Sequence, residues 1–179
     1  PTDVLDRFFQ CAKLHSIKII IRITADNPLI DPNIVDNAIE KFNNGNFDYL
    51  STQRSKTFPN GTETEIFSFK ALEKAWLNAK KPSEREHVTS YFYNNSDLFY
   101  LGQLTNSENL FHLRYTVDKE NDLELVRILF SKIKKRPILI SDIIKVIKNE
   151  PKLKKINSNN EYNEAYLKSL LDDEKISSN

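Results

Sequence analysis

Apolar residues recur at helical spacing from Asp3 to His15, at Val4, Leu5, Phe8, Phe9 and Ala12. Next comes a short, nearly continuous β-branched run, Ile17 to Ile23. That pattern predicts a strand buried on both faces of a parallel sheet. It ends in the polar turn Thr24-Ala25-Asp26-Asn27-Pro28. Asp31-Pro32 then reads as the cap and first position of a second helix, with Ile34, Val35, Ala38, Ile39 and Phe42 inward. Asn43-Asn44-Gly45-Asn46 stops it, and Phe47 to Thr52 predicts a second strand.

Pro59-Asn60-Gly61 marks a turn, followed by a candidate strand over Thr62 to Phe67. Ser68 caps a helix through Lys80. Ser83-Glu84-Arg85-Glu86 has the form of a capping box and predicts a helix to about Tyr93. Leu98 to Leu104 and Phe111 to Val117 read as further strands. Asp118 starts a helix containing Leu125, Val126 and Leu129, and Ser141 to Asn149 forms another. The basic run Lys132 to Arg136 reads as a solvated helix end. After Pro151 the composition turns to Lys, Asn, Ser and Glu. Residues 1–150 therefore read as the folded part, and 151–179 as a peripheral tail with one helix near Asn160 to Leu171.

Alternating strands and helices imply a layered α/β fold with a mostly parallel sheet. Lys and Arg number 26 and Asp and Glu 25, a balance that argues against a nucleic-acid binder. No run approaches the roughly 20 apolar residues of a membrane span. Cys11 is the sole cysteine, so no internal disulfide is possible, and a cytoplasmic setting is expected. Its place beside Leu5, Phe8 and Ala12 predicts a buried packing role. Three scattered glycines cannot form a Gly-rich phosphate cradle. The chain begins at Pro1 and contains no methionine, which fits either loss of an initiator or a piece of a longer protein.

In α/β folds ligands sit beyond the carboxyl ends of the parallel strands. That rule singles out Asp26 after the first strand and Asp118 after the segment Leu113 to Val117. Two carboxylates at strand ends suit Mg²⁺, which takes one or two protein carboxylates and fills its other positions with water and phosphate oxygens. A turn role for Asp26 and a capping role for Asp118 explain each residue separately. Arg85-Glu86-His87 at a helix start forms no triad, because adjacent helical positions point in different directions. Glu63 and Glu65 share one face of their strand, and could serve sugar hydroxyls, a cation or an exposed edge.

These segments, in this order, resemble a known family. Arg22 to Pro32, Asp48-Tyr49, Pro59 with Gly61 and Glu63 to Phe69, Arg85 to Thr89, Leu113 to Asp118 and Asn121 to Glu124 look like the motifs of cytidylyltransferases that make CMP-sugars. The pattern is nearest the subfamily of spore coat polysaccharide biosynthesis protein F, and is similar to acylneuraminate and Kdo cytidylyltransferases. The resemblance implies a three-layer α/β/α sandwich of the nucleotide-diphospho-sugar transferase type. It implies transfer of CMP from CTP to an acidic sugar of nonulosonic type, with release of pyrophosphate, in surface polysaccharide synthesis. Asp26 and Asp118 would be the catalytic Mg²⁺ ligands. Arg22, Asn27, Glu63, Glu65, Arg85, Glu86, His87 and Arg114 would bind substrate.

A homodimer is implied as well, with residues 53–104 the main contributor. Family members open with a strand and a loop containing glycine and arginine that wraps the triphosphate. This sequence begins past that point, so the chain alone is expected not to transfer CMP. Two other readings stay open. One is a glycosyltransferase of the same fold using a preformed sugar nucleotide; the other is a non-catalytic assembly module.

Overall fold

A computed structural model describes residues 3–177 of the chain; positions 1–2 of the folded part and 178–179 of the tail lie outside the described residues. A four-stranded sheet forms the centre, in the order β1-β3-β2-β4. Its strands are β1 (Ile19–Arg22), β2 (Tyr49–Ser51), β3 (Glu65–Ser68) and β4 (Leu101–Gln103). β1, β2 and β4 point the same way. β3 runs against them, pairing antiparallel with both β1 and β2, while β2 and β4 pair parallel. A sheet with three of four strands aligned thus makes two of its three pairings antiparallel.

Register and the two-residue period of a strand set the layers. Tyr49 lies opposite Phe67, and Leu50 opposite Ile66. Tyr49 and Phe67 join α1 (Val4–Leu14), α3 (Phe69–Asn78) and α5 (Ser90–Asn94) in one core, with Leu5, Phe9, Leu72 and Phe92. Leu50 and Ile66 face the other way, onto Ala38 and Phe42 of α2 (Pro32–Asn44). The sandwich therefore has three layers. A third core lies beyond the sheet, where α6 (Glu120–Lys132) and α7 (Ile140–Asn149) pack Leu125, Leu129, Ile143 and Ile147 together with Leu29 and Leu113.

The caps follow the chemistry of the sequence. Asp31 Oδ1 accepts from the Asn33 N–H at 2.9 Å, and Ser68 Oγ from the Ala71 N–H at 3.1 Å. Asp31 also ties helices together, because its Oδ2 accepts from the Ile140 N–H at the start of α7. Among the described residues, no helix is long and apolar enough to cross a membrane.

Four expectations are corrected. β1 is not covered on both faces: Ile20 joins the core, while Ile19 and Ile21 remain 45% and 42% exposed. β1 is an edge strand, and α2 packs on β2 and β3. Cys11 is exposed rather than buried, since its side of α1 faces an open groove lined by Val4, Phe8, Ile19 and Ile21. The single helix expected from Ser83 to Tyr93 breaks into α4 (Pro82–Glu86) and α5, because Val88 adopts a left-handed φ of 57° between them. Phe111 to Val117 is not a strand; it makes one parallel bridge, Asn60 to Arg114.

The segment after Pro151 folds back on the body. Leu153 enters the third core, and a last helix, α8 (Glu164–Ser177), lies along α4.

Candidate functional site

The carboxyl end of β1 delivers Arg22, Asp26 and Asn27. Arg22 is paired across the sheet with Glu65 and forms an ion pair with it. Glu65 also accepts from the Tyr49 hydroxyl at 2.6 Å. Burial, with the Glu65 carboxylate beside it, pushes the Tyr49 hydroxyl well above its ordinary pKa, so it remains a donor.

Glu63 sits next to this pair. Its Oε2 accepts from Asn27 Nδ2 at 3.1 Å and from the Gly61 N–H at 2.8 Å. Burial raises its carboxyl to about 7, and the nearby Glu65 and Asp26 carboxylates push the same way. Gly61 makes this turn possible. Its φ is +95°, and a Cβ there would stand 2.1 Å from the Thr116 backbone nitrogen.

The same turn brings in the second half of the site. Asn60 donates its N–H to the Leu113 carbonyl at 2.9 Å and accepts from the Tyr115 N–H at 2.6 Å. The Val117 N–H donates to the Asp26 carbonyl at 2.9 Å. Asp26 and the residue preceding Asp118 are thus neighbours, joined by main chain although Leu113 to Val117 forms no strand. Asp26 Oδ1 is buried and has no hydrogen-bond partner among the described residues, a condition it shares with Thr64 Oγ1 and Tyr115 Oη. Buried carboxylate oxygens are costly to leave unpaired.

Asp118 is half exposed and forms an ion pair with Arg114. Arg114 also donates from Nε to Asp122 Oδ1 at 3.0 Å. Asp122 is fully buried and anchors the entry to α6, accepting from the Lys119 N–H at 3.1 Å and the Asp118 N–H at 3.2 Å. Burial alone would raise its pKa. Hydrogen bonds from Arg114, Asn157, Asn160 and the Asp118 N–H overcome that and hold it at about 2.

The remaining residues divide. His87 is half-buried; burial holds its imidazole below the usual range, and the Arg22 charge adds to this. Glu86 is exposed and accepts from Ser169 Oγ at 3.0 Å. Arg85 is turned to another task. Its Nε and Nη2 donate to Asp3 Oδ2 at 2.9 and 2.6 Å, and Nη1 to the Trp76 carbonyl at 2.8 Å. That guanidinium joins α1, α3 and α4 and is not part of the cluster around Asp26.

Aromatic residues that no spacing rule selected lie close to Glu63 and His87. Tyr162 accepts from Gln53 Nε2 at 2.6 Å and meets Phe111 edge-on at 4.9 Å. Burial and the Glu63 charge raise its hydroxyl to about 12. Tyr166 meets His87 edge-on at 5.0 Å and Tyr93 at 6.3 Å. The available signal was two tyrosines four residues apart in an otherwise polar tail.

Among the described residues, no group of three or more His, Cys, Asp or Glu is placed to hold a metal ion. Mg²⁺ would need only one or two carboxylates, with water and phosphate completing its shell, and Asp26 and Asp118 are the residues that would hold it. The unpartnered Asp26 Oδ1 is the structural observation in its favour.

Known proteins share this architecture. The uncharacterized protein MJ1063 of Methanocaldococcus jannaschii is 42% identical over 159 residues, covering 88% of this chain and 64% of that protein. The spore coat polysaccharide biosynthesis protein SpsF of Bacillus subtilis is 29% identical over 152 residues, covering 83% of this chain and 62% of its own. The chain thus spans a little under two thirds of the length of these relatives. The solved structure of a cytidylyltransferase from Leptospira borgpetersenii matches with a TM-score of 0.82 at 31% identity, over 90% of this chain and 67% of that one. A family model described as cytidylyltransferase matches residues 2–171, and with a match of that extent the chain belongs to the cytidylyltransferase family.

Proposed function

We propose that this chain is the metal- and sugar-binding portion of an enzyme that transfers CMP from CTP to an acidic sugar of nonulosonic type, releasing pyrophosphate. The observation that carries the reading is the buried, unpartnered Asp26 Oδ1 beside the segment that leads into Asp118. These two carboxylates would hold Mg²⁺, which neutralises charge developing on the α-phosphate oxygens of CTP. Arg114 holds Asp118 on one side of the site and supplies positive charge there.

Glu63, Glu65 and Asn27 present acceptors and donors suited to sugar hydroxyls, and Arg22 orients Glu65. His87 would bind a further sugar group. Glu86, exposed at the rim, would bind at the outer edge of the sugar. Arg85 is reassigned to supporting α4, the helix just before His87. Surface polysaccharide synthesis, a cytoplasmic site of action where CTP is available, and a homodimer using residues 53–104 complete the reading.

Pyrophosphate release from CTP with Mg²⁺ and acidic sugars tests it. The assay is run on the chain alone and on the chain joined to the part of the Leptospira enzyme that it does not match. Sugar-dependent release is expected from the joined protein and not from the chain alone. A joined protein that ignores CTP but consumes a preformed sugar nucleotide would select the glycosyltransferase reading instead.

A further inference from the structure

The contacts of α8 bear on His87. Its ring nitrogen Nε2 lies 2.9 Å from Ser169 Oγ, and the same Ser169 hydroxyl donates to Glu86 Oε2 at 3.0 Å. A serine hydroxyl has one proton and two lone pairs. A carboxylate oxygen accepts, and the Ser169 proton points to Glu86. Ser169 is then left as an acceptor towards His87, and Nε2 must carry the imidazole hydrogen. The neutral ring has one such hydrogen, so Nδ1 is a bare lone pair. Among the described residues Nδ1 has no hydrogen-bond partner, while the edge of Tyr166 fixes the plane of the ring.

Among the described residues, polar contacts help to fasten α8. Asp173 Oδ1 accepts from the buried Ser83 N–H at 3.0 Å, and its other oxygen takes the Ser83 hydroxyl. Glu164 pairs with Lys119 at 2.6 Å. Leu167 and Leu171 are 52% and 58% exposed, so they contribute little apolar anchorage. The helix has therefore been placed by groups that fix direction.

We propose that α8 is a positioning element of the site: Ser169 sets the His87 tautomer and Tyr166 its ring plane, so that Nδ1 is offered as an acceptor to a substrate hydroxyl. The inference rests on the reading of His87 as a sugar-binding residue, and extends it to residues of the C-terminal helix. The charged and titratable groups around the imidazole are Glu86 on α4, Arg22 on β1, and Asp173 and Tyr166 on α8. Its lowered pKa keeps the ring neutral at pH 7.5, as a lone-pair acceptor requires.

The chain has three histidines, so ring ¹⁵N resonances can be assigned individually. Long-range ¹H–¹⁵N spectra at pH 7.5 should show His87 as the Nε2–H tautomer. Ser169→Ala should give a mixture of tautomers, and Ser169→Thr should restore the single form. Tyr166→Leu should move the His87 titration midpoint upward towards that of an exposed histidine, leaving His15 and His112 unchanged. An Nδ1–H tautomer in the parent chain, or a tautomer indifferent to Ser169→Ala, would overturn the proposal. Adding N-acetylneuraminate with Mg²⁺ provides a separate arm, in which a shift confined to Nδ1 is the expected result. If the tautomer follows Ser169 but none of a panel of acidic sugars moves Nδ1, the positioning role stands and the sugar-binding reading fails.

Discussion

The backbone N–H of Val117 donates to the carbonyl of Asp26 at 2.9 Å. One hydrogen bond thus fastens the turn after β1 to the residue before Asp118. Main chain joins the two candidate metal ligands, with Asp26 Oδ1 left without a partner and Asp118 paired with Arg114.

Replacing either ligand should weaken cation binding. Mn²⁺ titration in the presence of CTP, followed by electron paramagnetic resonance, should show Asp26→Asn and Asp118→Asn each losing about tenfold or more in affinity. Asp26→Asn should also leave thermal stability unchanged or raised, since its Oδ1 has no partner to lose. Equal Mn²⁺ affinity in both variants and the parent would remove the metal site from consideration.

Asp122 should matter for stability in acid. Its folded pKa of about 2 lies below its ordinary value of 3.8. A depressed carboxylate stabilises the fold at pH values above 3.8, and that contribution is lost as pH falls towards 2. Asp122→Asn should cost roughly 3 kcal/mol at pH 6, because Arg114 and two backbone N–H groups lose a buried anion. Urea midpoints should show the gap between variant and parent narrowing on acidification to pH 2.5. A gap independent of pH contradicts the assignment.

Glu63 works in the opposite direction. Its folded carboxyl titrates at about 7 instead of 4.5. Between those values the unfolded chain gives up the proton first, so the parent loses stability as pH rises through this window. Glu63→Gln keeps an acceptor for Asn27 and Gly61 and has no proton to release. Melting temperatures should match at pH 4, with the variant ahead by roughly 2–3 kcal/mol at pH 8. A variant that is weaker at every pH would count against the raised value.

Gly61 is where the two halves of the site touch. Gly61→Ala places a methyl group 2.1 Å from the Thr116 nitrogen at a φ of +95°. The chain must move apart there, at a cost of roughly 2–4 kcal/mol. Thermal unfolding followed by circular dichroism measures it, and a loss under about 1 kcal/mol would show that the turn is not tightly held.

Much of this was legible in the sequence. The IKIIIRI run, the Asp31-Pro32 entry to α2 and the Ser68 cap of α3 all rest on local chemistry, and each element appears. The turn after β1 and the segment before Asp118 do meet, through the Val117 N–H and the Asp26 carbonyl, although Leu113 to Val117 forms no strand. Local reasoning failed where long-range contacts decide. Ser83 resembles a helix cap, yet its hydroxyl belongs to Asp173, and Glu84 is the residue that reaches back to the Lys81 N–H. Arg85 has the charge to bind an anion but is held by Asp3 and Trp76. Phe111 to Val117 has strand composition but finds only one bridging position beside Asn60. The role of the polar tail was unreadable, because composition does not reveal which distant partner a Tyr or Ser will meet.

The outer edge of β1 has a practical consequence for handling the molecule. A bare strand edge is a template on which another extended segment can crystallise its hydrogen bonds. Natural sheets discourage that with charge; here Arg22 is engaged with Glu65, and Arg7 lines the same groove as Ile19 and Ile21. With Ile19 and Ile21 open to water there, the chain's shelf life in solution should depend on its concentration and on ionic strength.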